Sequence, residues 1–376
     1  MRVVIFCHSL ISDWNHGNAH FLRGITADLQ HRGHNVRIYE PRNGWSIENL
    51  TADYGREPVE NFQRAFPSLR SIGYDLETLD LDAALEGADL VLVHEWNEPA
   101  LVRRIGAHRA RGGEYILLFH DTHHRSVTAP HEMERYHLDD YDGVLAFGNS
   151  VAEQYRNRGW GRRVWTWHEA ADHRVFRPME PTAERKDLVW IGNWGDDERT
   201  AELNEFLIDP VKALGLKASV HGVRYPDSAK AALAEAGVEY RGWVPNYEVP
   251  RVFANYKLTI HVPRRPYATA LAGVPTIRVF EALACGIPLI SAPWIDSESL
   301  FRAGDDFLFV ANGGQMMTAM RLLLNDSAYA AEMAARGRDT VLSRHTCAHR
   351  VTELLDICTQ IRGLAERFPA VAGARI

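Results

Sequence analysis

The sequence predicts an α/β protein built from two doubly wound, Rossmann-like domains facing a cleft. Three observations carry that expectation. The chain has 376 residues, too many for one ordinary hydrophobic core and suited to two domains. Short apolar runs rich in Val, Ile and Leu alternate with segments of helical period along the whole length. They are near-continuous, not alternating, as a parallel sheet covered on both faces requires. Finally, the pattern restarts after RPMEPTAER (177–185), a proline-containing, charged stretch that reads as a linker. The expected domains are therefore 1–178 and 179–376, with the last helix packing back on the first.

In the first half, RVVIFC (2–7) reads as a strand and HFLRGITADLQHRG (20–33) as an amphipathic helix closed by Gly33. Strands follow at 35–40, 88–95, 114–121, 142–149 and 163–169. In the second half they are expected at 187–195, 217–222, 238–244, 258–263, 287–293 and 306–312. Helices are expected at 228–237, 315–325, 327–337 and 344–362. FEALACG has helical spacing, Gly286 suits a C-cap, and Pro288 stops any continuation.

Composition narrows the function. At 46% hydrophobic and 24% charged the chain reads as globular, and no run approaches the ~20 apolar residues of a membrane span. MRVVIFCHSL reads as a first strand, not a signal peptide. A net charge of −7 argues against a nucleic-acid duplex as partner. Cys7, Cys285, Cys347 and Cys358 are scattered in apolar or helical contexts, which predicts buried thiols in a reducing cytoplasm. There is no G-x-G-x-x-G after the first strand and no phosphate-loop lysine motif, which disfavours conventional dinucleotide and P-loop sites.

Ligands of open α/β sheets sit beyond the carboxyl ends of the strands, so the candidates lie in those loops. GNWGDDERTAEL (192–203) reads as a turn opening a helix, where backbone N–H groups and Arg199 suit a diphosphate. The alternative is a solvated Arg199 among favourable N-terminal acids. Trp243 in GWVPN (242–246) offers a stacking face or packs inward. HVPRRPY (261–267) puts Arg264 and Arg265 past a strand end. In TIRVFEALACGIPLI, Glu281 has two acceptor oxygens suited to the hydroxyls of a ribose. Arg278 stands at the helix start, where a cation needs an anion nearby. A plain Arg278–Glu281 ion pair explains the spacing equally well.

In the first half, FHDTHHR (119–125) crowds His120, Asp121, His123, His124 and Arg125 at a strand end. It reads as a pocket lining, a surface cluster or, least readily, a metal site. The loop 8–21 offers Asp13, His16 and Asn18. HEWNEP (94–99) offers Glu95 and Glu98 as a base or as helix N-terminal charges.

The run RVFEALACGIPLI resembles the donor-binding signature of GT-B glycosyltransferases, of the group-1 type that includes the spore-maturation protein CgeB. IGNW (191–194), Arg199, GWVPN and Arg278 match further features of that family, so the resemblance covers most of 186–345. It implies a metal-independent transfer from a nucleotide-diphosphate sugar to a small-molecule, glycan or protein acceptor, with no other cofactor. It also implies a nucleotide site of Gly192, Asn193, Trp194, Arg199, Trp243, Val244, Arg264, Thr276, Arg278 and Glu281. His120, Asp121 and Asp13 are the catalytic candidates on the acceptor side. One departure stands out. Where retaining members carry the first acid of an E-x7-E pair, this chain has Gly273. Rival readings are a nucleotide-sugar epimerase on the same fold, a non-catalytic nucleotide-binding protein, and a metallohydrolase using the histidine cluster.

Overall fold

The computed structural model describes residues 1–367, which divide into two compact units. The first comprises Met1–Ile11, Leu22–His168 and the chain from Cys347 onward. The second comprises Ser12–Phe21 and Glu169–Thr346.

In the first unit the strands are β1 (Arg2–Phe6), β2 (Asn35–Pro41), β3 (Ile72–Tyr74), β4 (Leu90–His94), β5 (Ile116–Asp121), β6 (Gly143–Ala146) and β7 (Val164–Thr166). They pair in the order β3-β2-β1-β4-β5-β6-β7, each pair parallel. β4 and β5 are buried along their whole length, the reason their sequences carry no polar alternation. The expected strands appear, most with shorter ends, while β2 runs one residue further, to Pro41. β3 was not expected, because three residues with a central glycine make no apolar run. The helix Ala19–His31 follows β1, and Gly33 beyond it takes φ +81°.

The second unit holds β8 (Lys186–Ile191), β9 (Ala218–His221), β10 (Val238–Tyr240), β11 (Tyr256–His261), β12 (Leu289–Ser291) and β13 (Leu308–Phe309). Their order is β10-β9-β8-β11-β12-β13, again parallel throughout. Both sheets reverse their winding once, between β1 and β4 and between β8 and β11. That reversal is where doubly wound folds bind ligands.

Two helical expectations need correction. The stretch after β8 does not open a helix at once. Gly195 and Asp196 both have positive φ, a 3₁₀ turn spans Asp196–Glu198, and α-helix starts only at Thr200. The helix expected to stop at 337 runs from Ser327 to Arg344. Its Gly337 is there for close approach: a Cβ would stand 2.6 Å from the Asp306 carbonyl oxygen and 2.8 Å from Leu283 Cδ2. That approach seats the helix on Ile277–Cys285, which ends at Gly286 in the left-handed region.

Replacing Gly337 with alanine raises helix propensity but overpacks this contact. It is expected to lower stability by about 1–3 kcal/mol, read by urea unfolding. A variant more stable than the parent contradicts the packing argument.

Candidate functional site in the second unit

Three arginines come together where β8 and β11 end. Arg199 is buried, with its ring-stacked guanidinium 5.0 Å from the Trp190 ring centroid. Its Nε donates to the Trp194 carbonyl at 3.2 Å, Nη1 to that of Val262 at 2.9 Å, and Nη2 to that of Asn193. Arg199 thus ties the loop after β8 to the loop after β11. Burial opposes its charge, and so do the neighbouring cations Arg264 and Arg278. Among the described residues its acceptors are backbone carbonyls, so a buried positive charge stands there without a carboxylate upon it. Arg264 pairs with Glu198 at 3.0 Å. Gly195 lies between the two side chains, its absent Cβ 3.0 Å from Arg199 Nε and 3.4 Å from Arg264 Nε.

The turn 192–194 is held from several sides. The Gly192 N–H donates to the His221 carbonyl at 2.9 Å, and its carbonyl accepts from the Tyr225 hydroxyl at 2.8 Å. Asn193 accepts from the Val223 N–H at 2.9 Å. Trp194 is a core residue whose Nε1 donates to Thr200 Oγ1 at 2.9 Å. Beside this turn an open hollow of about 800 Å³ is lined by Trp194, Asp196, Thr200, Arg224 and Tyr225 among others.

The third arginine belongs to the helix Ile277–Cys285. Glu281 is 0% exposed. One oxygen accepts from His20 Nδ1 at 2.8 Å and the other from Arg278, whose side chain is 15% exposed. The expected i,i+3 pair is therefore formed, with its carboxylate sealed and its cation reaching solvent. His20 stacks on Phe176 at 3.9 Å. Its Nε2 accepts from the Asp172 N–H at 2.9 Å, which places the ring proton on Nδ1 and makes that atom the donor to Glu281. Glu169 lies close by. Burial pushes its carboxyl well above the ordinary value, and the nearby Glu281 pushes it further.

Segment 12–21 contributes more than His20. Asp13, a catalytic candidate by sequence, accepts from Trp243 Nε1 at 2.9 Å and from the Asn246 N–H at 3.0 Å. Asn193 Nδ2 donates to Asn15, and Asn246 Nδ2 to the Gly17 carbonyl at 3.3 Å. Trp243 and Val244 are half-buried, so the tryptophan is fixed by its indole N–H and not loose in solvent. His16 is buried and Asn18 half-buried in the same segment.

Thr276 caps the approach to the helix. Its hydroxyl bonds His261 Nε2 at 3.1 Å, while His261 Nδ1 meets Ser291 Oγ at 2.9 Å. Ser291 donates onward to the Ala292 carbonyl at 2.9 Å. The chain of donors leaves His261 protonated on Nδ1 and accepting from Thr276. Gly273 has φ +85°, and a Cβ there would lie 2.6 Å from Ser297 Oγ and 2.8 Å from Glu298 Oε1. An acid at this position would be strained and crowded.

The histidines of the first unit stand in two pairs, His123 with His124 at 4.0 Å between ring centroids and His120 with His94 at 5.2 Å. His120 and Asp121 are both buried, so neither forms a surface cluster. His120 packs edge-on against Trp167 at 4.8 Å and His123 against Trp96 at 4.9 Å. His124 bonds Thr128 at 2.9 Å. Asp121 accepts from the His123 N–H at 2.9 Å and the Tyr155 hydroxyl at 2.8 Å. Among the described residues no three His, Cys, Asp or Glu side chains converge as metal ligands. Glu95 is buried against Arg125, whereas Glu98 is exposed ahead of the helix Pro99–Ala110.

His20, Asn15, His261, Ser291 and Glu169 escaped sequence reasoning. Their partners are remote in sequence or are backbone groups, and no local spacing announces them.

Burial holds both His261 and His120 down at about 3, with Arg199 and Arg278 adding to the effect at His261. Below pH 6.5 the unfolded chain therefore takes protons that the folded chain refuses. Stability rises with pH across that window and is lost as pH falls from about 6.5 toward 3. Melting temperatures at pH 7.5, 6.0 and 5.0 are expected to fall in that order, and His261→Gln to flatten the profile. An unchanged slope in that variant contradicts the assignment.

Residues 199–356 match the family model described as glycosyl transferase-like. No curated protein matches the sequence. Among solved structures, the chain is similar to sucrose-phosphate synthase from Thermosynechococcus elongatus, with 13% identity, TM-score 0.67 and coverage of 97% of this chain and 100% of that one. It is similar to Anabaena HepE, solved with UDP and glucose, at 13% identity and TM-score 0.65 over 96% and 99% of the two chains. T4 phage β-glucosyltransferase, solved with UDP-glucose, gives 13% identity and TM-score 0.59 over 96% and 99%. At such identities the likeness establishes the fold alone, two Rossmann-like α/β units of the GT-B class.

Proposed function

We propose that this chain is a glycosyltransferase of the CgeB-like type that moves a sugar, a hexose or a close relative, from a nucleotide diphosphate to an acceptor. The observation that carries the reading is the gathering of Arg199, Arg264 and Arg278 at the carboxyl ends of β8 and β11, with Arg199 buried and hydrogen-bonded, among the described residues, to backbone carbonyls. A buried cation of that kind calls for an anion. The diphosphate of a nucleotide sugar answers the requirement, and the family match over 199–356 supports it.

In this reading the bond from the sugar to the diphosphate breaks through an oxocarbenium-like state. Charge growing on the leaving phosphate is met by Arg264 and Arg278. The same arginines let the reaction run without a metal. Arg199 acts by holding the loops 193–194 and 262–264 in register. The Glu281 oxygen that Arg278 holds becomes available to a ribose hydroxyl once Arg278 turns to the phosphate, while His20 keeps the other. Asp13 fixes Trp243 against the base, and Asp121 holds the turn that carries His123; both are positioning roles. The four buried free thiols support a reducing cytoplasm as its location.

Gly273 favours a second reading, a protein that binds nucleotide without transferring sugar, since its left-handed backbone and the Ser297 and Glu298 side chains beside it oppose an acid there. Turnover across a panel of donors and acceptors separates the two.

The test is a thermal-shift panel of UDP, GDP and ADP. One nucleotide is expected to stabilise the wild type clearly. Arg264→Ala and Arg278→Ala are expected to weaken its binding about 10- to 100-fold, as loss of a charge-assisted hydrogen bond does. Glu281→Gln is expected to weaken it less. Equal shifts in wild type and both arginine variants overturn the diphosphate site. Epimerisation of a donor incubated alone overturns the transferase.

A further inference from the structure

Four adjacent strands of the first unit each lead into an aromatic ring. In spatial order β2 is followed by Trp45, β1 by His8, β4 by Trp96 and β5 by His123. Trp45 and His8 have ring centroids 6.2 Å apart, His8 and Trp96 6.4 Å, and Trp96 and His123 4.9 Å. The rings thus stand 4.9 to 6.4 Å apart, wider than the strand repeat of roughly 4.8 Å beneath them, and form one continuous row across the switch point of the sheet.

Two of the four are tryptophans that stay in solvent, Trp45 at 45% and Trp96 at 39% exposure. Large aromatic faces are ordinarily buried for their hydrophobic gain, so aligned exposed ones mark a binding surface. The Arg125 guanidinium stands 4.1 Å from the Trp96 centroid and holds that indole in place. His8 is kept neutral, its pKa drawn down to about 4 by burial.

We infer that this row is a binding track for an oligosaccharide, the acceptor class of the transferase reading on which the inference rests. A pyranose ring offers an apolar face of C–H bonds that matches the negative face of an aromatic ring. Its hydroxyl rim meets the imidazoles of His8 and His123. The distance between neighbouring rings is the size of one hexose, so a chain of sugars can engage several at once. A single-stranded nucleic acid also stacks on aromatic rows, but it needs cations along its phosphates. The arginines flanking this row are already paired, Arg42 with Asp75 at 3.1 Å and Arg125 with Glu95 and Glu132. The track therefore suits a neutral chain.

The experiment titrates the full chain with maltohexaose, cellohexaose and chitohexaose by calorimetry, with a single-stranded oligothymidine as a further probe. Trp45→Ala, Trp96→Ala and their phenylalanine counterparts are measured beside the wild type. One hexasaccharide is expected to bind, its disaccharide more weakly. Each alanine variant is expected to lose about tenfold in affinity, and the phenylalanine variants to keep most of it. Nucleoside diphosphate shifts are expected to be the same in all variants. An oligosaccharide that binds to a chain that takes no nucleotide leaves the track standing and removes the transferase reading. The track is overturned if no hexasaccharide binds, if binding is indifferent to both alanine substitutions, or if oligothymidine binds in their place.

Discussion

A carboxylate sealed from water must have its oxygens met by donors, and at Glu281 those donors come from opposite ends of the chain. Arg278 lies one helical turn away, a local contact. His20 comes from the segment after the first strand, and it can donate only because its other nitrogen is occupied by the Asp172 N–H. Leaving a buried charge half-matched costs several kcal/mol. The fold therefore has a strong reason to keep segment 12–21 within the second unit. The same segment carries Asp13 to Trp243 and Asn246, and Asn15 to Asn193. One buried carboxylate thereby bears on the loops after β8 and β10 as well as on its own helix.

This dependence explains what the sequence reveals and what it conceals. The strands are legible because both faces of each sheet are covered, which writes apolar runs into the chain. Helix ends are legible where glycine is needed for left-handed backbone, as at Gly33 and Gly286. β3 is not legible, since an edge strand of three residues needs no apolar run. The residue types of the site were legible, but their partners were not. Arg199 looked like a free fork and instead serves three backbone carbonyls. Asp13 looked like an acceptor-side acid and instead grips the GWVPN loop. His120 and Asp121 are buried, and His120 lines a small internal cavity beside His94 and Trp167. Periodicity and capping are short-range signals, whereas these contacts join segments far apart in the chain.

The two sheets share one winding yet end in different chemistry. At β8 and β11 cations gather, and their only carboxylates are Glu198 and Glu281 among the described ion pairs. At β2, β1, β4 and β5 the ends carry aromatic rings, and the cations beside them are neutralised. The difference between the two sets of strand ends lies in Arg199, a buried cation whose acceptors among the described residues are backbone carbonyls, set against an aromatic row whose flanking arginines are paired. The doubly wound fold places ligands beyond the strand ends, and the side chains carried there differ between the two sheets.

Gly273 shows the same logic in reverse. Read as a letter, it is a missing acid in an otherwise preserved signature. In three dimensions its backbone is left-handed, and the direction in which a side chain would leave is filled by Ser297 and Glu298. Restoring glutamate at 273 would therefore strain the turn and crowd this neighbour, without returning a carboxylate to its former place. The carboxylate that lies beside this turn belongs to Glu298, which reaches it from the loop after β12. The loop is built around a glycine, so what sets position 273 apart is its backbone geometry as well as its missing side chain.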